Sequence, residues 1–310
     1  MWLIFALITF MAWGTADLFY KSGNVENERY SHLKTSIMVG LVMGVAAIGI
    51  LIFGDVGYYN PINLLIYLPV SLMYILSMTV GYFGLRYLEL SVSSPIQNAS
   101  GAVSCLIMMA VLRELPSLLE GIAIVVITFG VVMLGVFEKK KENEYIAEHN
   151  RKYKIGFVAF MMPILYCIID SLGTALDGIY LDDITSTPLR NVTEATLENV
   201  ANVSYMLTFF IVAVVLAIYV YGIKKAQFTI KGQKNRTAAA TMETIGQFTY
   251  AFAMSGNGMV AAPLIASYCV MSVLLARIFL KEKLSAKQYL MITCVFVGIL
   301  ILGIVEGLSE

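Results

Sequence analysis

Three carboxylates stand inside stretches of apolar sequence, and two of them share a local pattern. Trp13 precedes Asp17 by four residues, and Tyr166 precedes Asp170 by four. On a helix that spacing puts each ring one turn from its acid on the same face. A carboxylate beside an aromatic face suits an organic cation, because charge attraction adds to a cation–π contact of about 0.5–2 kcal/mol. The third acid, Glu243, opens an i, i+4, i+7 series with Gln247 and Tyr250, a polar stripe that faces something other than lipid. A carboxylate so placed can alternatively load and release a proton.

An ionisable group at the centre of a membrane helix costs roughly 2.5–3.5 kcal/mol on insertion scales, so it marks a pathway or a partner. The plainer readings are an acid at a helix end in water, a cap on a neighbouring helix or, for Glu243, an interfacial side chain close to Arg236. Gln97, Asn98 and Ser104 lie in one apolar run, and Ser267, Tyr268 and Ser272 in another. The serines read as glue between helices, at about 0.6 kcal/mol each. Asn98 and Tyr268 are larger and lie near Pro95 and Pro263, which makes them better candidates for a solute contact, with Tyr74 and Tyr82 as further rings.

The elements that position these groups must be membrane helices. Of 310 residues, 59% are hydrophobic and 14% charged, against about 25% charged in soluble domains. Ten segments reach the roughly 20 mostly apolar residues that a spanning helix needs: 2–20, 35–53, 62–86, 92–112, 117–137, 155–177, 203–222, 238–255, 259–280 and 287–306. Gly54-Asp55-Val56-Gly57 and Ser255-Gly256-Asn257-Gly258 read as turns. The first run lacks the basic flank of a cleaved signal and reads as a retained helix.

The chain also repeats itself. Residues 89–137 lie on residues 257–305 without a gap at an offset of 168: Pro95 falls on Pro263, Ser104 on Ser272, Glu114 on Glu282, Gly130 on Gly298 and Gly135 on Gly303. Tyr82 falls on Tyr250, whereas Glu243 falls on Ile75 and so breaks the symmetry. In the first spans the offset is 153, which pairs Trp13 with Tyr166 and Asp17 with Asp170; the difference is taken up in the connector 177–202. Residues 1–137 form one five-helix repeat, 138–154 a charged linker and 155–310 the second repeat. A duplicated unit with an odd number of spans inserts in opposite directions. The expected fold is an all-α integral membrane protein of ten transmembrane helices in two inverted five-helix repeats.

Nineteen of the 21 lysines and arginines fall in the odd-numbered connectors, leaving Arg113 and Arg190 on the other side. The positive-inside rule puts the odd connectors in the cytoplasm and both termini outside. Asp177, Asp182, Asp183, Glu194 and Glu198 then belong to an acidic external connector. Net charge is zero, which offers no field for nucleic acid. Cys105, Cys167, Cys269 and Cys294 form no CxxC pair and read as packing residues rather than a disulfide framework or zinc site. His32 and His149 are the two histidines, too few and too peripheral for a histidine-based enzyme, and no cofactor or metal motif appears.

Several stretches now act together: Trp13-Gly14; Leu88-Glu89-Leu90-Ser91-Val92-Ser93-Ser94-Pro95; Arg113-Glu114-Leu115-Pro116-Ser117; and the second-half counterparts Met259-Val260-Ala261-Ala262-Pro263 and Lys281-Glu282-Lys283-Leu284-Ser285. With the glycines at 130, 135, 298 and 303, this set resembles the drug/metabolite transporter superfamily, in its EamA type with two tandem five-helix units. The resemblance implies a basket of ten helices around a cavity lined by spans 1, 3, 4, 6, 8 and 9. It also implies alternating access for small organic solutes, often amino acids, amines or sugar-linked metabolites.

The favoured expectation is a secondary carrier for an organic cation or amine, such as a quaternary ammonium compound, driven by a proton or solute gradient. It would sit in a bacterial plasma (inner) membrane, with protons and the lipid bilayer as its other partners. Trp13, Asp17, Tyr82, Asn98, Tyr166, Asp170, Glu243, Gln247, Tyr250 and Tyr268 are the expected solute contacts. Asp17, Asp170 and Glu243 are the proton-coupling candidates. An exporter of neutral or aromatic amino acids is the alternative on the same fold. A membrane enzyme or non-transporting scaffold is the alternative of another class.

Overall fold

The computed structural model describes residues 1–25, 27–148 and 153–309. Those residues contain helices and connectors, with no strand among them. Helices are the natural outcome in lipid, where every backbone polar group must find a partner within its own segment. His149 and the linker residues 150–152 lie outside the described residues.

α1 (Trp2–Gly23) and α2 (Ser31–Phe53) are uninterrupted. The third span breaks at Tyr67 into α3 (Asn63–Ile66) and α4 (Leu68–Gly84). Pro69 stands in the first turn of α4, where the missing N–H has no helical acceptor to lose. α5 (Leu90–Asn98) and α6 (Ser100–Leu112) make up the fourth span, which Arg113 ends in the left-handed region at φ 59°. α7 (Leu118–Glu148) runs past its apolar part into the linker, and α8 (Tyr153–Leu181) follows. α9 (Leu197–Ala217) is prolonged by a π-helical turn, Ile218–Ile223.

α10 (Ile230–Ala266) joins two expected spans, and α11 (Cys269–Leu275) continues through a second π turn, Ala276–Leu280, to Lys281 at φ 60°. α12 (Ala286–Ser309) closes the chain. The turn expected over 255–258 is reduced to one non-helical residue, Asn257 (φ −165°, ψ 71°). Its Oδ1 accepts the Val260 N–H at 3.4 Å and its Nδ2 donates to Glu120 Oε1 at 3.2 Å. One capping side chain thus does what a longer loop would do.

Among the described residues, eight helical segments are long and apolar enough to cross a membrane. The distribution of residues is inside out: Val45 is 73% and Leu106 65% exposed, whereas Asp17 is 6%, Glu243 7% and Asp170 8% exposed. A molecule with an apolar outer face and polar groups within is built for lipid. The chain is an integral membrane protein.

The helices pack in exchanged pairs: α1 on α10 and α8 on α4, with α2 on α9 and α7 on α12. The α7–α12 contact is reciprocal. A Cβ on Gly130 would meet Val295 Cγ2 at 2.5 Å, and one on Gly298 would meet Ile127 Cγ1 at 2.5 Å. Each glycine admits the β-branched side chain of the other helix, so the two backbones approach closely.

Two sets of connectors gather at opposite ends. At one end Lys21 donates to the carbonyls of Leu85 (2.8 Å) and Leu88, and Arg86 Nε to that of Val25 at 3.4 Å. Glu28 pairs with Lys34 and with the buried Arg236, which also donates to the Gly23 carbonyl at 3.0 Å. At the same end the Glu282 carboxylate accepts the N–H groups of Leu90 and Ser91 at 3.1 and 3.0 Å and so caps α5. At the other end Asn63 exchanges hydrogen bonds with the backbone of Arg190, Asn199 reaches the Asp55 carbonyl, and the amino terminus meets Glu306.

Candidate functional site

A cavity lies between α1, α4, α5, α6, α8, α9 and α10, between helices of a bundle as small-molecule sites often are. Packing against glycines places its rings. A Cβ on Gly246 would sit 2.4 Å from Trp13 Cδ1, so that glycine on α10 seats the indole of α1. A Cβ on Gly81 would sit 2.8 Å from Tyr166 Cδ2, so α4 seats the α8 ring in the same manner. Trp13 lies 5.1 Å from the Tyr250 ring and 5.8 Å from that of Tyr268, centroid to centroid, and its Nε1 donates to the Glu243 carbonyl at 3.3 Å.

The carboxyls come from three helices. Asp17 on α1 accepts the hydroxyls of Ser94 at 2.6 Å and Ser272 at 2.7 Å, both on Oδ2. Asp170 on α8 accepts Ser100 at 2.7 Å on Oδ2 and Ser77 at 3.4 Å on Oδ1. Glu243 on α10 accepts the Tyr20 hydroxyl at 3.1 Å on Oε2. The Tyr74 hydroxyl is 2.8 Å from that of Tyr250 and 2.9 Å from Thr174 Oγ1. Among the described residues, no lysine, arginine or histidine lines the cavity. Such a chamber is negative and ringed by π faces, and can hold a positively charged solute through both.

Of the residues singled out from sequence, Trp13, Asp17, Tyr82, Asn98, Tyr166, Asp170, Glu243, Tyr250 and Tyr268 line this cavity. Gln247 does not: it is buried beside it, with Oε1 unpartnered among the described residues. Asn98 turns part of its amide inward, donating to the Ser94 carbonyl at 2.9 Å. Ser104 is spent between helices, on the carbonyls of Ser100 and Ser171.

Sequence reasoning missed Tyr20, Ser100, Thr174 and Tyr205, which also line the chamber. Tyr20 follows Asp17 by three residues and shares its helix face, a signal that was available. Tyr205 brings α9 into a wall expected from six other spans only. Asp177 needs correction. Expected in the external connector, it lies within α8, fully buried, with the Tyr67 hydroxyl donating to its Oδ1. Gly178, directly after it, does not end the helix, which continues to Leu181 and carries Asp177 inward.

No curated protein matches the chain. Among solved structures that match, one described only as "Crystal structure of protein" superposes over 100% of this chain and 98% of its own, with a TM-score of 0.66 at 12% identity. That likeness speaks for the fold alone. Residues 1–136 match the profile of the EamA-like transporter family. Over those residues the chain is similar to the EamA-like transporters, a family within the drug/metabolite transporter superfamily whose members are membrane transporters of small solutes rather than enzymes.

Proposed function

We propose that the protein is a secondary active transporter that moves a small organic cation or amine by alternating access, through the cavity between two inverted five-helix repeats. The observation that carries the solute class is the lining itself: three buried carboxyls and a set of aromatic rings with no basic side chain among the described residues that line it. Asp17 and Asp170 would hold the cation, Trp13, Tyr166, Tyr250 and Tyr268 would wall it, and Asn98 and Tyr82 would offer polar contacts. Glu243, which breaks the sequence repeat, is assigned the coupling proton.

Ten spans follow if Leu68–Gly84 crosses the membrane as a short helix and the Gly232–Leu280 segment crosses twice. At 1.5 Å per residue a single helix of those 49 residues would be about 74 Å long, more than twice a hydrocarbon core of about 30 Å. The exchanged packing of α1–α10 and α8–α4 supports a two-fold relation. So do the reciprocal Gly130 and Gly298 contacts and the left-handed residues Arg113 and Lys281 at matched positions. Residues 1–137 and 155–310 are then the two halves, with 138–154 as a cytoplasmic linker. The connectors carrying most basic residues face the cytoplasm of a bacterium, and both termini face out.

Proteoliposomes test this reading. Labelled methylammonium should accumulate against an imposed gradient, and Glu243→Gln should reduce uptake at least tenfold and flatten its pH dependence while the protein still folds. Undiminished uptake by that variant with an unchanged pH profile removes Glu243 from the mechanism. Uptake of neutral amino acids with none of amines would replace the solute class.

A further inference from the structure

The cavity presents a charge pattern that one compact monocation does not match. Asp17 and Asp170 are each met by two serine hydroxyls, Ser94 with Ser272 and Ser100 with Ser77. An ionised carboxyl is purely an acceptor, and hydroxyl donors at 2.6–2.7 Å are the partners of an anion. Ser94 has little choice in the matter. Its oxygen already accepts from Asn98 Nδ2 at 3.3 Å, which leaves its hydrogen for Asp17.

A buried anion needs a counter-ion. Here the protein supplies two anionic seats, on α1 and α8, and no cationic side chain among the described residues of the lining that joins them. The seats are also alike. Each aspartate has an aromatic residue four positions before it, Trp13 or Tyr166, and both rings line the same cavity. Two equivalent anionic ends call for a solute with two equivalent cationic ends, separated by an apolar stretch that the rings can cover.

Resting on the cation reading above, we propose that the substrate is a linear aliphatic diamine, with one ammonium at Asp17, the other at Asp170 and its methylenes against the aromatic wall. Glu243 has no acidic counterpart in the repeat and stays outside this pair.

Trp2 and Trp13 are the two tryptophans, so in a Trp2→Phe background the fluorescence of Trp13 reports on the cavity alone. The purified full-length protein is titrated with 1,4-diaminobutane, 1-aminobutane and tetramethylammonium, with calorimetry as a second readout. The diamine should bind roughly tenfold or more tightly than the monoamine of equal length, a difference of about 1.4 kcal/mol or more. In Asp17→Asn and in Asp170→Asn that ratio should fall to about one. Equal affinities for the two amines before any aspartate is changed would overturn the diamine and leave the cation reading standing. So would a ratio that survives in either folded aspartate variant. No response to any of the three compounds would overturn both.

Discussion

At the scale of single residues, the acids were legible because a charge in an apolar run is expensive, and the rings beside them because four residues make one helical turn. Their hydroxyl partners were not. A serine in a membrane helix can satisfy itself on a carbonyl one turn back, as Ser104 does on Ser100 and Ser272 partly does on Tyr268. Residue type therefore does not say which serine serves a carboxylate. Ser272 does both, and its bond to Asp17 links α11 to α1 at the chamber wall. Hydrogen bonds to a charged group are worth about 1.5–3 kcal/mol. A double-mutant cycle on cation affinity with Ser272→Ala and Asp17→Asn should thus give a coupling of about 1 kcal/mol or more. Additive losses would mean that the serine only packs. Gln247 failed for a related reason. The i, i+4 rule puts it on one side of α10 with Glu243, but the side chain lies buried beside the chamber instead of on its wall.

At the scale of elements, lengths and punctuation were readable and helix ends were less so. The third span splits at Tyr67, the 255–258 turn shrinks to Asn257, and α8 carries Asp177 into the interior. In each case a side-chain hydrogen bond or a packing contact overrides local signals. The sequence repeat aligns Glu114 with Glu282. Glu282 caps a helix from the other half, whereas exposed Glu114 makes no such bond among the described residues. The same end carries the Glu28 cluster. Burial alone would raise the Glu28 carboxyl, but the hydrogen bonds and charges of Lys34 and Arg236 outweigh it and hold the group below its ordinary 4.5. A carboxyl lowered by folding contributes stability above its unfolded value and loses it as pH falls through the folded one. Glu28→Gln should therefore lower the melting temperature near pH 7, and the gap to the unsubstituted protein should close as the pH drops below about 4.5. A gap that stays constant into acid would show that the cluster's charge is not what stabilises that end.

At the scale of the whole molecule, the internal repeat was the strongest message in the chain. Gly130 and Gly298 align at an offset of 168 in the sequence and then receive Val295 and Ile127, residues related by that same offset. What the sequence did not reveal is the pairing of helices: α1 rests on α10 and α8 on α4, which packs the first part of the chain against the second. Contacts between halves depend on surface shapes that periodicity does not encode. The proposed inverted arrangement has a direct consequence for labelling. In intact cells a membrane-impermeant thiol reagent should modify Tyr58→Cys, in the second connector, and spare Lys224→Cys, in the seventh. Modification of both, or of Lys224→Cys alone, would refute the assigned orientation.

The claim beneath all three scales is that Asp17 and Asp170, with Glu243 beside them as the proton carrier, form a carboxyl cluster that takes up an organic cation. Equilibrium dialysis of the purified protein with labelled tetramethylammonium and labelled phenylalanine examines it most directly, using the unsubstituted chain and a folded Asp17→Asn, Asp170→Asn, Glu243→Gln triple variant. Saturable binding of the ammonium compound that disappears in the triple variant is the expected result. Ammonium binding that persists without the three acids, or a chamber that takes phenylalanine and ignores the cation, would contradict it.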